Sequence, residues 1–397
     1  MAAAGTSQPG LDFDGLRPPT PGLKERHASW RSTVRAFVNE EIAPNIDAWD
    51  AAGTFPDAIY ERAVAAGIFG MGFPASFGGV IEDADLYHRI IFAEELHRLG
   101  SGVVFADLAT HWIGLPPVIG FGASQLHDTV VRPVLAGQQR IAFAVTEPSG
   151  GSDVSRLMTS AERHGDHWLV NGEKTLISGG LRADYVLTAV RTGGAGMGGI
   201  SLLLIDAASP GITRAPVTGL GWYNSSIASM SLRDVSVPAG RLIGEENKGF
   251  AALTRQFNIE RFSGIAATLA MSRVALAEAI RFAAQRETFG KRLVEHQAIR
   301  HKLVDMVREV HAAYGYLDQC VWRFENGDVP IADLCMLKVH ATTTLESCAR
   351  EALHILGGSA YTGSHRLERI YREARIFAVG GGTEEVLRDL AARQLGL

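Results

Sequence analysis

Cysteine is scarce in this chain: three in 397 residues, Cys320, Cys335 and Cys348. None belongs to a CxxC pair or stands among histidines at ligand spacing, so neither a disulfide framework nor a metal site is expected. Buried, reduced cysteines in helical surroundings are expected instead. A dominant charge of one sign is missing as well. Lys and Arg number 38 against 43 Asp and Glu, a formal net charge of −5, which argues against nucleic acid as a partner while leaving room for a local basic pocket. Long apolar runs are also lacking. The most apolar stretch, residues 102–122, is interrupted by Asp107, His111 and Pro116-Pro117, so no membrane insertion is expected. The first 27 residues have no apolar signal core and contain Asp12 and Asp14. Residues 1–23 are therefore expected to form a flexible extension, and with no targeting segment recognised the expected location is cytoplasmic.

What is present falls into three zones. Over residues 24–140 apolar side chains recur at helical spacing, as in Trp30, Val34, Phe37 and Val38 and again from Ile90 to Leu99, with Gly53, Pro56, Pro74 and Gly78-Gly79 as breakers. This zone reads as an α-helical domain. Residues 141–245 change period. Trp168 to Val170, then Asn171-Gly172, then Lys174 to Ser178 predicts a hairpin turning at Asn-Gly, and Tyr185–Val190, Ile200–Ile205 and Ile227–Leu232 read as further strands. From residue 246 to 397 the helical period returns, with few prolines, and stretches such as Ala267–Glu287 and Val294–Phe324 suit a helical bundle.

Several segments carry chemistry. Ala144 to Asp153, Ala-Val-Thr-Glu-Pro-Ser-Gly-Gly-Ser-Asp, is a strand ending in a glycine-rich turn, which brings hydroxyls and bare N–H groups near a flat ligand. Read blandly, it is a turn whose Ser and Asp bond their own backbone. Asn171 to Gly179 offers the Ser178 hydroxyl. Arg286-Glu287-Thr288-Phe289-Gly290-Lys291, followed by His296-Gln297, offers a guanidinium suited to a diphosphate, or else an ordinary solvated helix end. His354 to Tyr361 contains Gly357-Gly358, and Val379 to Glu385 contains Gly380-Gly381-Gly382-Thr383. Between them Glu260-Arg261 opens the returning helical period. Helical steps from Glu260 reach Gly264, Ala267 and Met271, small or pliable residues that would leave a cavity beside a carboxylate.

In order and spacing these segments resemble the signatures of the acyl-CoA dehydrogenase family over nearly the whole chain. The resemblance implies a mainly α fold with a central β domain: an N-terminal helical domain, a middle β-barrel-like domain and a C-terminal four-helix bundle. It also implies FAD as cofactor and α,β-dehydrogenation of an acyl-CoA thioester, with a base taking the α-proton and a β-hydride passing to flavin N5. By resemblance, Thr146, Ser152 and Ser178 meet the flavin, and Ser152 also meets substrate. Arg286, Thr288, Phe289, His296 and Gln297 hold FAD across a subunit interface, joined by His354, Gly357, Gly358, Thr383 and Glu385. Asn258, Arg261 and Gly382 contact substrate. Many family members carry their glutamate base directly before the Gly-Thr pair, where this chain has Gly381. Isovaleryl-CoA and long-chain acyl-CoA dehydrogenases instead place it just before the arginine of the helix, here at Glu260. Gly381 keeps the N–H that, with a flavin ribityl hydroxyl, stabilises charge on the thioester oxygen.

Two departures from the family pattern bear on function. Leu176 stands where an aromatic residue covers one flavin face, and His354 and Ala360 replace a glutamine and a glycine. The expected assembly is a homotetramer, a dimer of dimers, passing electrons to an electron-transfer flavoprotein. Two alternatives stay open at this point. One is an acyl-CoA oxidase or flavin monooxygenase on the same fold, to which Leu176 gives weight. The other is a catalytically silent acyl-CoA- or FAD-binding protein, against which Glu260 counts.

Overall fold

The computed structural model describes residues 11–362 and 365–397. Helices α1 (Glu25–Phe37), α2 (Ile46–Ala52), α3 (Ala58–Ala65), α4 (Leu86–His97), α5 (Val103–Leu108), α6 (His111–Phe121) and α7 (Arg132–Leu135) come first. Strands β1 (Ile141–Ala144), β2 (Ser160–His164), β3 (His167–Ile177), β4 (Tyr185–Arg191), β5 (Ile200–Asp206), β6 (Ile212–Pro216), β7 (Ala228–Pro238) and β8 (Leu242–Ile243) follow. The chain then returns to helix: α8 (Gly249–Gln285), α9 (Gln297–Glu325), α10 (Ile331–Leu356), α11 (Gly358–Tyr361), α12 (Arg366–Val379) and α13 (Glu384–Leu395). Helix α8 and the helical run Val103–Phe121 are long and apolar enough to cross a membrane, yet most of each is buried within the protein.

Two compact units divide the chain, one formed by the segment ending at Arg31 with residues 89–101 and 261–397, the other by residues 32–88 and 102–260. The second unit contains the sheet, ordered β6-β7-β3-β2-β4-β5-β8 with β1 parallel to β4. Strands β4 and β5 are near-continuous apolar runs, buried on both faces, whereas β3 alternates as a strand with one wet face does. Trp168, Val170, Leu203, Val235 and Val237 form one apolar cluster of the sheet, and Ala142, Ala144, Ile177, Val186 and Met230 another.

The Asn171-Gly172 hairpin expected from sequence does not form. β3 runs straight through both residues, and the β2–β3 turn falls at Gly165-Asp166 instead. Tertiary partners decide this. Asn171 exchanges two bonds with Asp234, giving Nδ2 to its carboxylate at 3.0 Å and taking its N–H at 2.8 Å. Gly172, at φ 152°, sits at a β-bulge where a Cβ would lie 2.5 Å from Thr159 Oγ1. The glycine serves close approach rather than a turn.

In the first unit α8 is buried on nearly all sides from Phe262 to Leu276, whereas α9 and α10 are amphipathic and bury one side. α9 contributes Leu303, Met306, Val310, Ala313 and Leu317, and α10 packs on α9, α12 and α13. All three cysteines are buried and unpaired. The N-terminal extension needs correction. Residues 1–10 lie outside the described residues, but beyond them Leu16 is fully buried. Arg17 donates from Nε to the buried Glu94 carboxylate at 2.9 Å and stacks on Tyr314 at 4.8 Å. Arg31 bonds Glu94 at 2.7 Å and Glu95 at 2.8 Å. A segment whose composition reads as linker is thus fastened by one leucine and one arginine, too few residues for a periodicity to register.

Candidate active site

In the second unit, the ends of β1 and β3 bring the first two signatures together. Thr146 follows β1, and its carbonyl accepts the Thr175 N–H at 2.9 Å. Beneath that junction Glu147 and Lys174 form an ion pair at 2.8 Å with 3% and 1% of their side chains exposed. The Glu147 carboxylate also accepts the N–H of Met158 at 2.6 Å and of Thr159 at 2.9 Å, while Lys174 Nζ donates to the Val145 carbonyl at 3.2 Å. Burial alone would push the Glu147 carboxyl up, but Lys174 and these N–H donors hold it down at about 2. Burial pushes the Lys174 ammonium down to about 8, with Glu147 pulling the other way. Sequence reasoning passed over this pair.

Around this anchor Thr146 and Ser178 are half-buried and Ser152 is exposed. Leu176 takes a left-handed backbone, φ 57°, and is 55% exposed, so β3 ends by presenting an aliphatic side chain outward.

The first unit holds three other groups of expected site residues. Arg286, Thr288 and Phe289 sit on the hairpin Glu287–Thr288/Lys291–Arg292 after α8. His296 lies 3.4 Å from Thr288 Oγ1, with Gln297 opening α9. Phe289 is 98% exposed on a left-handed backbone, and the exposed Arg286 side chain has no hydrogen bond or ion pair among the described residues. His354, exposed, ends α10 just before Gly357-Gly358, where a Cβ at either glycine would meet open space. Gly380-Gly381-Gly382 joins α12 to α13, with φ 69° at Gly381 and 106° at Gly382. Thr383 caps α13 by accepting the Val386 N–H, and Glu385 is exposed in its first turn. α10 braces this turn: Lys338 Nζ donates to the Gly382 carbonyl at 2.8 Å and Thr342 Oγ1 bonds Glu384 at 3.1 Å. Lys338, buried on α10, was another residue invisible to motif reading. No hydrogen bond joins the hairpin to either of the other two groups among the described residues.

Glu260 and Asn258 lie half-buried on α8, and Arg261 follows them. Of the helical steps beyond Glu260, Gly264 leaves open space where a Cβ would stand, but Ala267 and Met271 are fully buried in packed core. The expected cavity face is therefore one residue deep along α8, because the later positions are fully buried.

Chemically, the arrangement offers hydroxyls and open backbone at the ends of β1 and β3, an exposed guanidinium before the hairpin, a braced glycine turn and a carboxylate on a long helix. Comparison with known proteins assigns the class. Profiles of the N-terminal, middle and C-terminal domains of acyl-CoA dehydrogenases match residues 24–138, 142–235 and 247–396. The chain belongs to the acyl-CoA dehydrogenase family, FAD-dependent oxidoreductases. It is 34% identical to an acyl-CoA dehydrogenase of Alternaria alternata, over 95% of this chain and 93% of that one. It is 30% identical to the caffeyl-CoA reductase–Etf complex subunit of Acetobacterium woodii, over 92% and 96%. A putative acyl-CoA dehydrogenase from Mycobacterium smegmatis superposes with a TM-score of 0.91 at 39% identity, covering 94% of this chain and 98% of that one.

The residues present fit FAD. Gly150, Gly357 and Gly358 leave open the space a Cβ would fill, and Arg286 is a guanidinium with no protein partner among the described residues.

Proposed function

We propose that this chain oxidises an acyl-CoA thioester to the trans-2-enoyl-CoA, with Glu260 as the base that removes the α-proton. The observation that carries this reading is the pair of positions within one family framework: a glycine, Gly381, directly before the Gly382-Thr383 pair and a half-buried carboxylate directly before Arg261 on α8. Bound FAD supplies the acceptor for the β-hydride. Thr146, Ser152 and Ser178 would hold its ring edge, and His354, Gly357, Gly358, Thr383 and Glu385 its remainder. Arg286, Thr288, Phe289, His296 and Gln297 would serve the cofactor of a second copy. The exposed Phe289, and the lack of hydrogen bonds between the hairpin and the two glycine-bearing groups of the same unit among the described residues, support that sharing, and with it a homotetramer. Asn258, Arg261, Ser152 and Gly382 would line the thioester.

A free carboxylate is a weak base for an α-proton, with an ordinary pKa of about 4.3. An acyl group seated beside Gly264 would expel water from Glu260 and raise its basicity. The Gly381 N–H would take up the charge developing on the thioester oxygen.

Anaerobic mixing of the holoenzyme with a panel of saturated acyl-CoAs, read by flavin bleaching, tests the assignment. Glu260→Gln should bind the same acyl-CoAs and bleach at least about 10²–10⁴-fold more slowly. A Glu260→Gln protein that bleaches at the parental rate removes Glu260 from the mechanism. A second panel, 2-enoyl-CoAs mixed with the reduced holoenzyme, tests the reverse direction, since one relative is named for reduction of caffeyl-CoA.

Electron-transfer flavoprotein is the proposed acceptor, within fatty acid metabolism of the cytoplasm. The half-exposed, left-handed Leu176 favours a second reading, in which oxygen reaches the flavin directly as in an oxidase or monooxygenase. Turnover with an artificial dye compared with turnover on oxygen separates the two.

A further inference from the structure

The turn after β3, residues 178–184, is gripped by charged side chains with no part in the function proposed above. On one side Arg214 Nη1 donates to the carbonyls of Gly180 at 3.1 Å, Leu181 at 3.3 Å and Ala183 at 2.9 Å. On the other stands Asp107, near the end of α5, with no exposed surface. Its Oδ2 accepts the Ser226 hydroxyl at 2.7 Å and lies 3.8 Å from Arg182 Nε within the turn. The Ser226 carbonyl accepts the Leu181 N–H at 3.0 Å, so serine and carboxylate hold the turn as one unit. Gly179 presses on the same seat. At φ 72°, a Cβ there would lie 2.9 Å from Thr110 Cγ2, and Thr110 Oγ1 itself donates to the Asp107 carbonyl at 3.1 Å.

Asp107 is sparsely bonded for a buried carboxylate. Its Oδ1 has no hydrogen-bond partner among the described residues, and a group so placed is costly to fold around. We infer that Asp107 is a positioning residue for the active site: through Ser226 and Arg182 its carboxylate fixes the Ser178–Gly179 turn and so aims the Ser178 hydroxyl. This rests on the reading of Ser178 as a flavin-facing group. The ionisable groups around Asp107 are Arg182 in the turn and Tyr60 on α3, with Asp57 paired to Arg182. Burial pushes Asp107 up to about 6, while the Ser226 bond and Arg182 draw it back. Its charge is thus present at pH 8 and lost as pH falls through about 6.

Two variants test this, Asp107→Asn, which keeps the shape and removes the charge, and Ser226→Ala, which removes the bond and keeps the charge. Amide hydrogen exchange is followed in the apo-protein and visible absorption in the FAD holoenzyme. Exchange at residues 177–182 should accelerate about 10-fold in both variants, the worth of one such bond, while β4 and β5 exchange as in the parent. At pH 8 the flavin band of Asp107→Asn should move, and the parent should undergo the same change on titration through about 6. Unchanged exchange at 177–182 in a folded Asp107→Asn protein overturns the inference. If that variant does not fold, unchanged exchange in Ser226→Ala overturns it. Should exchange loosen while Ser178→Ala leaves the flavin band unmoved, the tether stands and the reading of Ser178 falls instead.

Discussion

Replacing Glu147 with alanine takes one carboxylate from beneath the first signature and leaves four donors facing it, the Ser149 hydroxyl at 3.3 Å among them. Lys174 would keep a single bond, to the Val145 carbonyl at 3.2 Å, inside a site where 1% of its side chain meets solvent. The Met158 and Thr159 N–H groups, now bonded at 2.6 and 2.9 Å, would lose their acceptor. Removing one partner of a buried pair costs about 3–5 kcal/mol, because the surviving charge stays desolvated. Glu147→Ala should therefore lower the urea midpoint well beyond the effect of a surface substitution. The double variant Glu147→Ala, Lys174→Met should recover part of the loss, since it removes the stranded ammonium. The pH dependence has a definite sign. With the folded carboxyl held at about 2 against an ordinary 4.5, Glu147 contributes its full stability above pH 4.5. That contribution drains away as pH falls toward 2, by about 3 kcal/mol in all. Glu147→Gln should flatten that segment of the stability–pH curve. Urea unfolding followed by circular dichroism between pH 3 and 8 gives all three quantities. A Glu147→Ala protein within about 0.5 kcal/mol of the parent at pH 7 would refute the claim that this pair holds β1 to β3.

Two further outcomes follow from the site geometry. Arg286→Ala should weaken FAD retention by about 10- to 100-fold, the worth of one or two charge-assisted bonds, measured by fluorescence as FAD is diluted off the holoenzyme. It should leave the helical content untouched, because Arg286 is exposed and has no partner among the described residues. Lys338→Met removes the donor to the Gly382 carbonyl and should lower kcat more than it raises KM, since the brace bears on the Gly381 N–H and not on acyl-chain binding. Steady-state kinetics with one good acyl-CoA decides this, and a pure KM effect would refute it.

The helix–sheet–helix order and the family were legible in the residues alone. Each rests on information local to the chain: the 3.6 and 2.0 periods of apolar residues, and short motifs whose spacing is fixed by the backbone groups they present. Buried, unpaired cysteines followed the same way, from their place within apolar helical stretches. Only tertiary structure could decide what depends on partners distant in sequence. Asn171-Gly172 has the composition of a hairpin turn, but Asp234, 63 residues away, bonds Asn171 and draws it into a continuous strand. The segment around Leu16 and Arg17 has the composition of a linker, yet Glu94, 77 residues on, holds it down. Ala267 and Met271 look able to line a cavity, yet both are fully buried in the folded chain. The anchors beneath the motifs, Glu147 with Lys174, Lys338 with Gly382 and Asp107 with Ser226, are single polar residues in apolar surroundings. Nothing local distinguishes them from solvated charges. Their meaning comes from burial, which removes water and makes each remaining bond decisive.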